Sequence, residues 1–116
     1  MKANDFFKLV ERRINICQDT LVEKGKEYAS NDDRLHNFKR CAEVRGHGAT
    51  PSTAALWLAT KHEVSIDDMV YKIPEGYKPT QEMIDEKFKD AVNYLFLLEG
   101  TLMDELRAKY PGEYWI

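Results

Sequence analysis

Three oxygen-bearing side chains, Glu86, Asp90 and Asn93, recur at i, i+4 and i+7 late in the chain. On an α-helix that spacing lays them along one strip. Lys61, Ser65 and Asp68 repeat the same spacing upstream. Each strip borders a run of apolar residues at helical period, so each is expected at the rim of a buried face. If the two helices pack antiparallel, the strips can face each other across a groove. Such a groove could hold a divalent cation such as Mg2+ through Glu86 and Asp90, and through it a phosphate. The same residues could instead form a Lys61–Asp90 or Lys61–Asp68 ion-pair seam that fixes helix register. Asn93 favours binding, because a neutral amide adds nothing to a charge seam.

The neighbours of these strips read two ways. His62 falls on the apolar face of its helix, where a hydrogen-bonded core histidine is the expectation. Trp57, one turn before Lys61, is expected in a core or an interface, with base stacking as the alternative. The polar connector from Glu27 to Arg34, continuing into His36-Asn37-Phe38, holds groups with distinct uses. Tyr28 can stack or donate, Arg34 can clamp a phosphate with both arms, and Asn37 can read a base edge or a sugar. Helix capping by Asn31 or Asp32 and an Arg34–Asp ion pair would use the same stretch structurally.

Charge supports an anionic ligand but not a nucleic-acid duplex. The net charge of −3 hides +3 over residues 1–61 and −6 over residues 62–116. Basic side chains crowd at Lys24, Lys26, Arg34, Lys39, Arg40 and Arg45. That excess suits phosphate and is too interrupted for a duplex-binding face. No glycine-rich phosphate loop, HExxH or Ser/His/Asp pattern is present, so the chain carries no self-sufficient catalytic signature.

The elements that must position these groups are helices. Phe6, Val10, Ile14, Cys17 and Leu21 form one stripe, with a start at Asn4 or Asp5 and a stop at Gly25. A short second helix, capped by Asn31 or Asp32, carries Leu35, Phe38 and Ala42 and ends at Gly46. Thr50-Pro51 opens a third helix to about Ile73, with Ala55, Ala59, His62, Ile66, Met69 or Val70, and Ile73 inward. After the Pro74–Pro79 loop, Thr80 caps the longest helix, whose stripe is Ile84, Phe88, Ala91, Leu95, Leu98 and Leu102. The expectation is an all-α, four-helix antiparallel bundle-like single domain over residues 1–116, with an aromatic tail at 110–116. Cys17 and Cys41 are expected as buried reduced thiols. No apolar run is long enough to span a membrane and no signal sequence is recognisable, so a soluble, cytoplasmic protein is expected.

Lys24-Gly25-Lys26-Glu27-Tyr28, Asn37-Phe38 with Ala42, Lys61-His62 through Asp68, and Glu86 through Leu95 together resemble a group of small phage and prophage helical proteins. Their skeleton is K-x-Y, N-F, a K-to-D stretch and D-x-x-N-Y, spread here over residues 24–98. Some of that group are linked to nucleotide modification. A more distant similarity is to all-α nucleoside triphosphate pyrophosphatases of the MazG type, which hold magnesium with E-x-x-E and E-x-x-D motifs. This chain offers Glu63, Asp67, Asp68, Glu86 and Asp90 but no E-x-x-E. The resemblance implies a nucleotide-binding protein that holds or sequesters a nucleotide or nucleotide-derived signal, with an anti-defence role in a host cytoplasm as one use. Lys26, Arg34, Lys39 and Lys61 would meet phosphates, Tyr28, Trp57 or Tyr94 would stack, and Asn37 or Asn93 would hydrogen-bond. The alternatives are a magnesium-dependent pyrophosphatase and an oligomeric protein-interaction module. In that last reading the tail Tyr110–Ile116 contributes to a homo-oligomer interface.

Overall fold

The computed structural model describes residues 1–28 and 33–115, the side chains of residues 27 and 28 excepted. Among the described residues the chain is all-α: α1 (Ala3–Tyr28), α2 (His36–Arg45), α3 (Pro51–Lys72) and α4 (Gln81–Lys109). A single 3₁₀ turn, Ile73–Glu75, follows α3. No described helix is long and apolar enough to cross a membrane.

Local chemistry sets the ends. Thr50 is extended, its hydroxyl accepts from the Thr53 amide, and Thr53 returns a bond to the Thr50 N–H, with Pro51 in the first helical turn. That arrangement satisfies amides that the first turn cannot pair internally. Glu105 of α4 adds a carboxylate at the same helix end, accepting from the Ser52 amide at 2.8 Å and its hydroxyl at 2.7 Å. A negative charge there is favoured by the helix dipole. Thr80 caps α4 through the Met83 amide at 3.1 Å.

Two boundaries differ from the periodicity. α1 runs through Gly25 instead of stopping there. A Cβ at that position would stand 3.2 Å from Arg34 Nε, so the glycine admits the arginine side chain against the helix. α2 begins at His36, and Asp33 supplies its local turn by accepting from the Leu35 amide at 3.0 Å. The Asn31 and Asp32 caps lie outside the described residues.

α3 and α4 form an antiparallel pair, tied at one end by Ser52–Glu105 and further along by Lys87 donating to Ser65. α1 lies along α4 in the same direction: Arg13 pairs with Asp85, and Cys17 Sγ approaches the Lys89 carbonyl at 3.9 Å, four residues on along both helices. α2 packs on α3. Asp85 and Lys89 face away from the side of α4 that carries Lys87, Tyr94 and Glu105, so α1 and α3 take opposite sides of α4. The main seams therefore run α2–α3–α4–α1 as an open row, and α2 also leans over to α4 through Phe38 on Tyr94 and Lys39 on Asp104.

An open row buries little. The buried apolar residues are Cys17, Phe38, Ala42, Ala54, Ala55, Ala59, Met69 and Ala91, most of them alanine. Several side chains expected inside are about half exposed, among them Phe6, Ile14, Val70, Ile73, Leu95 and Leu102. Their stripes are helical as expected, but only part of each stripe meets a neighbour. Cys41 is also exposed, correcting the expectation that both thiols are buried.

The α1–α4 contact rests on Asp85. It accepts from Arg12 at 2.6 Å and Arg13 at 2.7 Å, while Arg13 also reaches the Asp85 carbonyl at 2.9 Å. These guanidinium bonds, Arg12 first, hold the Asp85 carboxyl down at about 2, below its ordinary 3.8. A depressed carboxyl contributes stability above its unfolded value and loses it as pH falls through the folded value. Acid unfolding between about pH 4 and pH 2 should therefore include loss of the α1 contact. Asp85→Asn should lower the melting temperature at pH 7 and flatten that acid limb. Unchanged melting and an unchanged limb, followed by circular dichroism, would contradict this role.

Candidate ligand-binding site

The C-terminal half of α1, together with α2, α3 and α4, lines an open cleft of about 1260 Å³. α4 supplies its floor with Asp90, Asn93, Tyr94 and Leu97, one helical face at steps of three, one and three. α2 supplies a wall through Asn37, Arg40, Cys41, Val44 and Arg45, again one helical face. α3 contributes Leu58, Lys61 and His62, and α1 contributes Thr20, Leu21 and Lys24.

Asn93 is the least expected residue on that floor. It is only 5% exposed, and its Oδ1 is buried with no hydrogen-bond partner among the described residues. Leaving a buried polar atom unpaired costs roughly 1–3 kcal/mol, which a donor brought by a ligand would recover. Beside it, Tyr94 stacks on His62 with ring centres 4.5 Å apart and 26° between planes. Phe38 meets the same Tyr94 ring edge-on at 6.5 Å. His62 thus lies half-buried at the cleft and packs by its ring face.

The cleft is strongly cationic. Among the described residues, Lys24, Arg34, Arg40, Arg45 and Lys61 line it against a single carboxylate, Asp90. Arg40 also pairs with Glu43 at 2.6 Å, and Arg45 lies 4.5 Å over the Trp57 ring. Arg34 and Lys61 form no ion pair with a described residue, so both guanidinium and ammonium are open to an anion. Leu21, Val44, Leu58 and Leu97 supply apolar surface between the charges. Such a lining, apolar with a few convergent polar groups, suits an amphipathic small molecule.

A smaller recess of about 320 Å³ shares Lys61, His62 and Asp90 with the cleft and adds Ser65, Met83, Glu86 and Lys87. The two polar strips do meet here, through Lys61 and Ser65 of α3 and Glu86 and Asp90 of α4. Asp68 is exposed and takes no part. No Lys61–Asp90 or Lys61–Asp68 pair forms among the described residues; the cation beside Asp90 is Lys89, at 3.9 Å. Glu86 and Asp90 share the recess with Lys61 and Lys87, and no three His, Cys, Asp or Glu side chains among the described residues converge as a metal site. That donor set does not fit a magnesium site built by the protein alone.

The remaining sequence candidates are dispersed. Lys26 is exposed and pairs with Glu23 at 3.2 Å, outside the cleft. Lys39 is outside too, bonded to Asp33 at 2.8 Å and Asp104 at 3.1 Å, where it ties the start of α2 to α4. The Asp33 hydrogen bond raises the Lys39 ammonium and lowers the Asp33 carboxyl, as a structural pair would. Trp57 is half exposed beside Arg45, and the Tyr28 side chain lies outside the described residues. Arg40 and Arg45 of the basic cluster line the cleft, as do Cys41 and His47, neither of which has a site role in the sequence reading. The signal for the first three was present: Asn37, Arg40, Cys41 and Arg45 follow at steps of three, one and four, on one face of a ten-residue helix.

No family model, curated protein or solved structure matches the chain.

The two cysteines give a direct check on this geometry. Burial, the largest effect, raises the Cys17 thiol above its ordinary range, whereas Cys41 is exposed on the cleft wall. Reaction follows the thiolate and its access. One thiol per folded chain should react rapidly with a disulfide reagent, and Cys41→Ser should abolish that phase. Two rapid thiols in the folded protein would contradict the placement of Cys17.

Proposed function

We propose that the chain binds a phosphorylated small molecule of the nucleotide class in the α1–α4 cleft and holds it without turnover. The observation that carries this reading is the buried Asn93 Oδ1, unpartnered among the described residues, on the floor of a cleft whose described lining includes Arg34, Arg40, Arg45 and Lys61. Arg34 offers a planar fork for a phosphate, and Lys61 a point charge in the same cleft. Asn93 accepts a hydrogen bond from an N–H or O–H of the base or sugar. The His62–Tyr94 stack and the edge-on Phe38 form the aromatic flank. Holding is favoured over hydrolysis because the carboxylates do not gather: Glu63, Asp67 and Asp68 are exposed, and Glu86 and Asp90 sit with two lysines.

Isothermal titration against a nucleoside, its monophosphate and its triphosphate tests this. Affinity should rise with phosphate number and fall with salt. Arg34→Ala and Lys61→Ala should each weaken triphosphate binding by about tenfold or more, the scale of a charge-assisted hydrogen bond. Equal affinity for nucleoside and triphosphate would remove the phosphate reading. Magnesium-dependent release of pyrophosphate, lost in Asp90→Ala, would replace holding by hydrolysis.

Asn93 separates a binding role from a structural one. Asn93→Leu keeps the volume and removes an orphaned amide, so it should raise stability, by about 1–3 kcal/mol at most. The same change should weaken nucleotide binding. Lower stability with unchanged affinity would assign Asn93 to the fold alone.

A further inference from the structure

The side of α4 turned away from the cleft carries Phe88, Leu95 and Leu102, seven residues apart and 37%, 47% and 46% exposed. With Ile84, Ala91 and Leu98 they make a four-three-four-three-four apolar repeat, the pattern of a helix that packs along its length. α3 covers only the flank of that repeat bearing Ala91, because the seam with α3 runs through Lys87, Tyr94 and Glu105. α1 covers the opposite flank at Asp85 and Lys89. Between the two flanks Phe88, Leu95 and Leu102 are only partly covered and keep between about a third and a half of their surface open.

The surface area is large for the mass of the chain. The chain exposes 8768 Å². A folded monomer of 13.5 kDa exposes roughly 6,500 Å². The excess of about 2,200 Å² exceeds the roughly 800 Å² per partner of a standard stable interface. The radius of gyration agrees, at 16.7 Å against roughly 13 Å for a compact domain of this length. A stripe with a seven-residue repeat is complementary to itself, and two copies related by a two-fold axis bury the same stripe twice. Other exposed apolar side chains share that excess, among them Trp57, Val64 and Tyr71 of α3, Phe7 and Ile14 of α1, and Trp115 of the tail at 86%.

We infer that a second copy of this chain covers the Phe88–Leu95–Leu102 ridge of α4, giving a homodimer that closes the open row into a bundle on the side opposite the cleft. Light scattering on the full chain should give about twice the 13.5 kDa chain mass. The double variant Leu95→Lys/Leu102→Lys should shift the mass to one chain while keeping nucleotide affinity, if the cleft is complete within one copy. A monomeric wild-type protein at tens of micromolar would overturn the inference and leave the ridge to some other partner. So would a variant that stays helical and dimeric. Should the variant lose helicity, a benzophenone side chain placed at position 95 of the otherwise unchanged protein decides. Photocrosslinking to another copy upholds the dimer, and crosslinks confined within one chain overturn it.

Discussion

The α3–α4 pairing is the constraint on which the other features depend. Ser52, Ala55, Ala59 and His62 fall on one strip of α3, and Lys87, Ala91 and Tyr94 on one strip of α4. Ala55, Ala59 and Ala91 are buried, so small side chains bring the two backbones close at the middle of the seam. Glu105 on the amino end of α3 and Lys87 on Ser65 then fix register from both sides of that contact. With register set, His62 comes to rest on Tyr94, and Asn93 is carried one residue round from the seam into the cleft floor. A shift by one turn would separate the stacked rings and both polar ties together.

The same pairing divides α4 into sides with different work. One side meets α3, the opposite side meets α1, one intermediate face forms the cleft floor, and the other carries the bare apolar ridge. A row of helices with two open faces is unstable by itself as a way to bury apolar area, since each stripe needs a neighbour. One open face here is cationic, with an unpaired amide at its base; the other is apolar and repeats every seven residues. These are opposite chemistries. The first suits a small anionic ligand, and the second suits a helix of the same kind.

Much of the fold was legible in the sequence, and the reasons are local. Thr50-Pro51 and Thr80 mark helix starts through hydroxyl caps, which depend only on neighbouring residues. Gly46, with φ of 64°, marks the end of α2 for the same kind of reason. Gly25 misled because its cause is long-range: Arg34, nine residues on, packs against it. The facing of Lys61 and Ser65 with Glu86 and Asp90 followed from periodicity plus antiparallel packing. Asp68 failed to join because it sits on the exposed side of α3. Lys39 looked like a phosphate ligand by type, and only the tertiary structure brings Asp33 and Asp104 to it. Phe6, Ile14, Leu95 and Leu102 are half exposed because a neighbouring helix covers only part of each stripe, and periodicity alone does not report how much.

Asn93 is proposed to meet a ligand in the cleft. The most direct measurement is a heteronuclear NMR titration of the protein with a nucleoside triphosphate, following the Asn93 side-chain amide and the His62 and Tyr94 ring signals. Binding in the cleft predicts saturable shifts of all three together, with the exposed Lys26 region unaffected. Shifts confined to surface lysines such as Lys26, with the Asn93, His62 and Tyr94 signals unmoved at saturation, would contradict it.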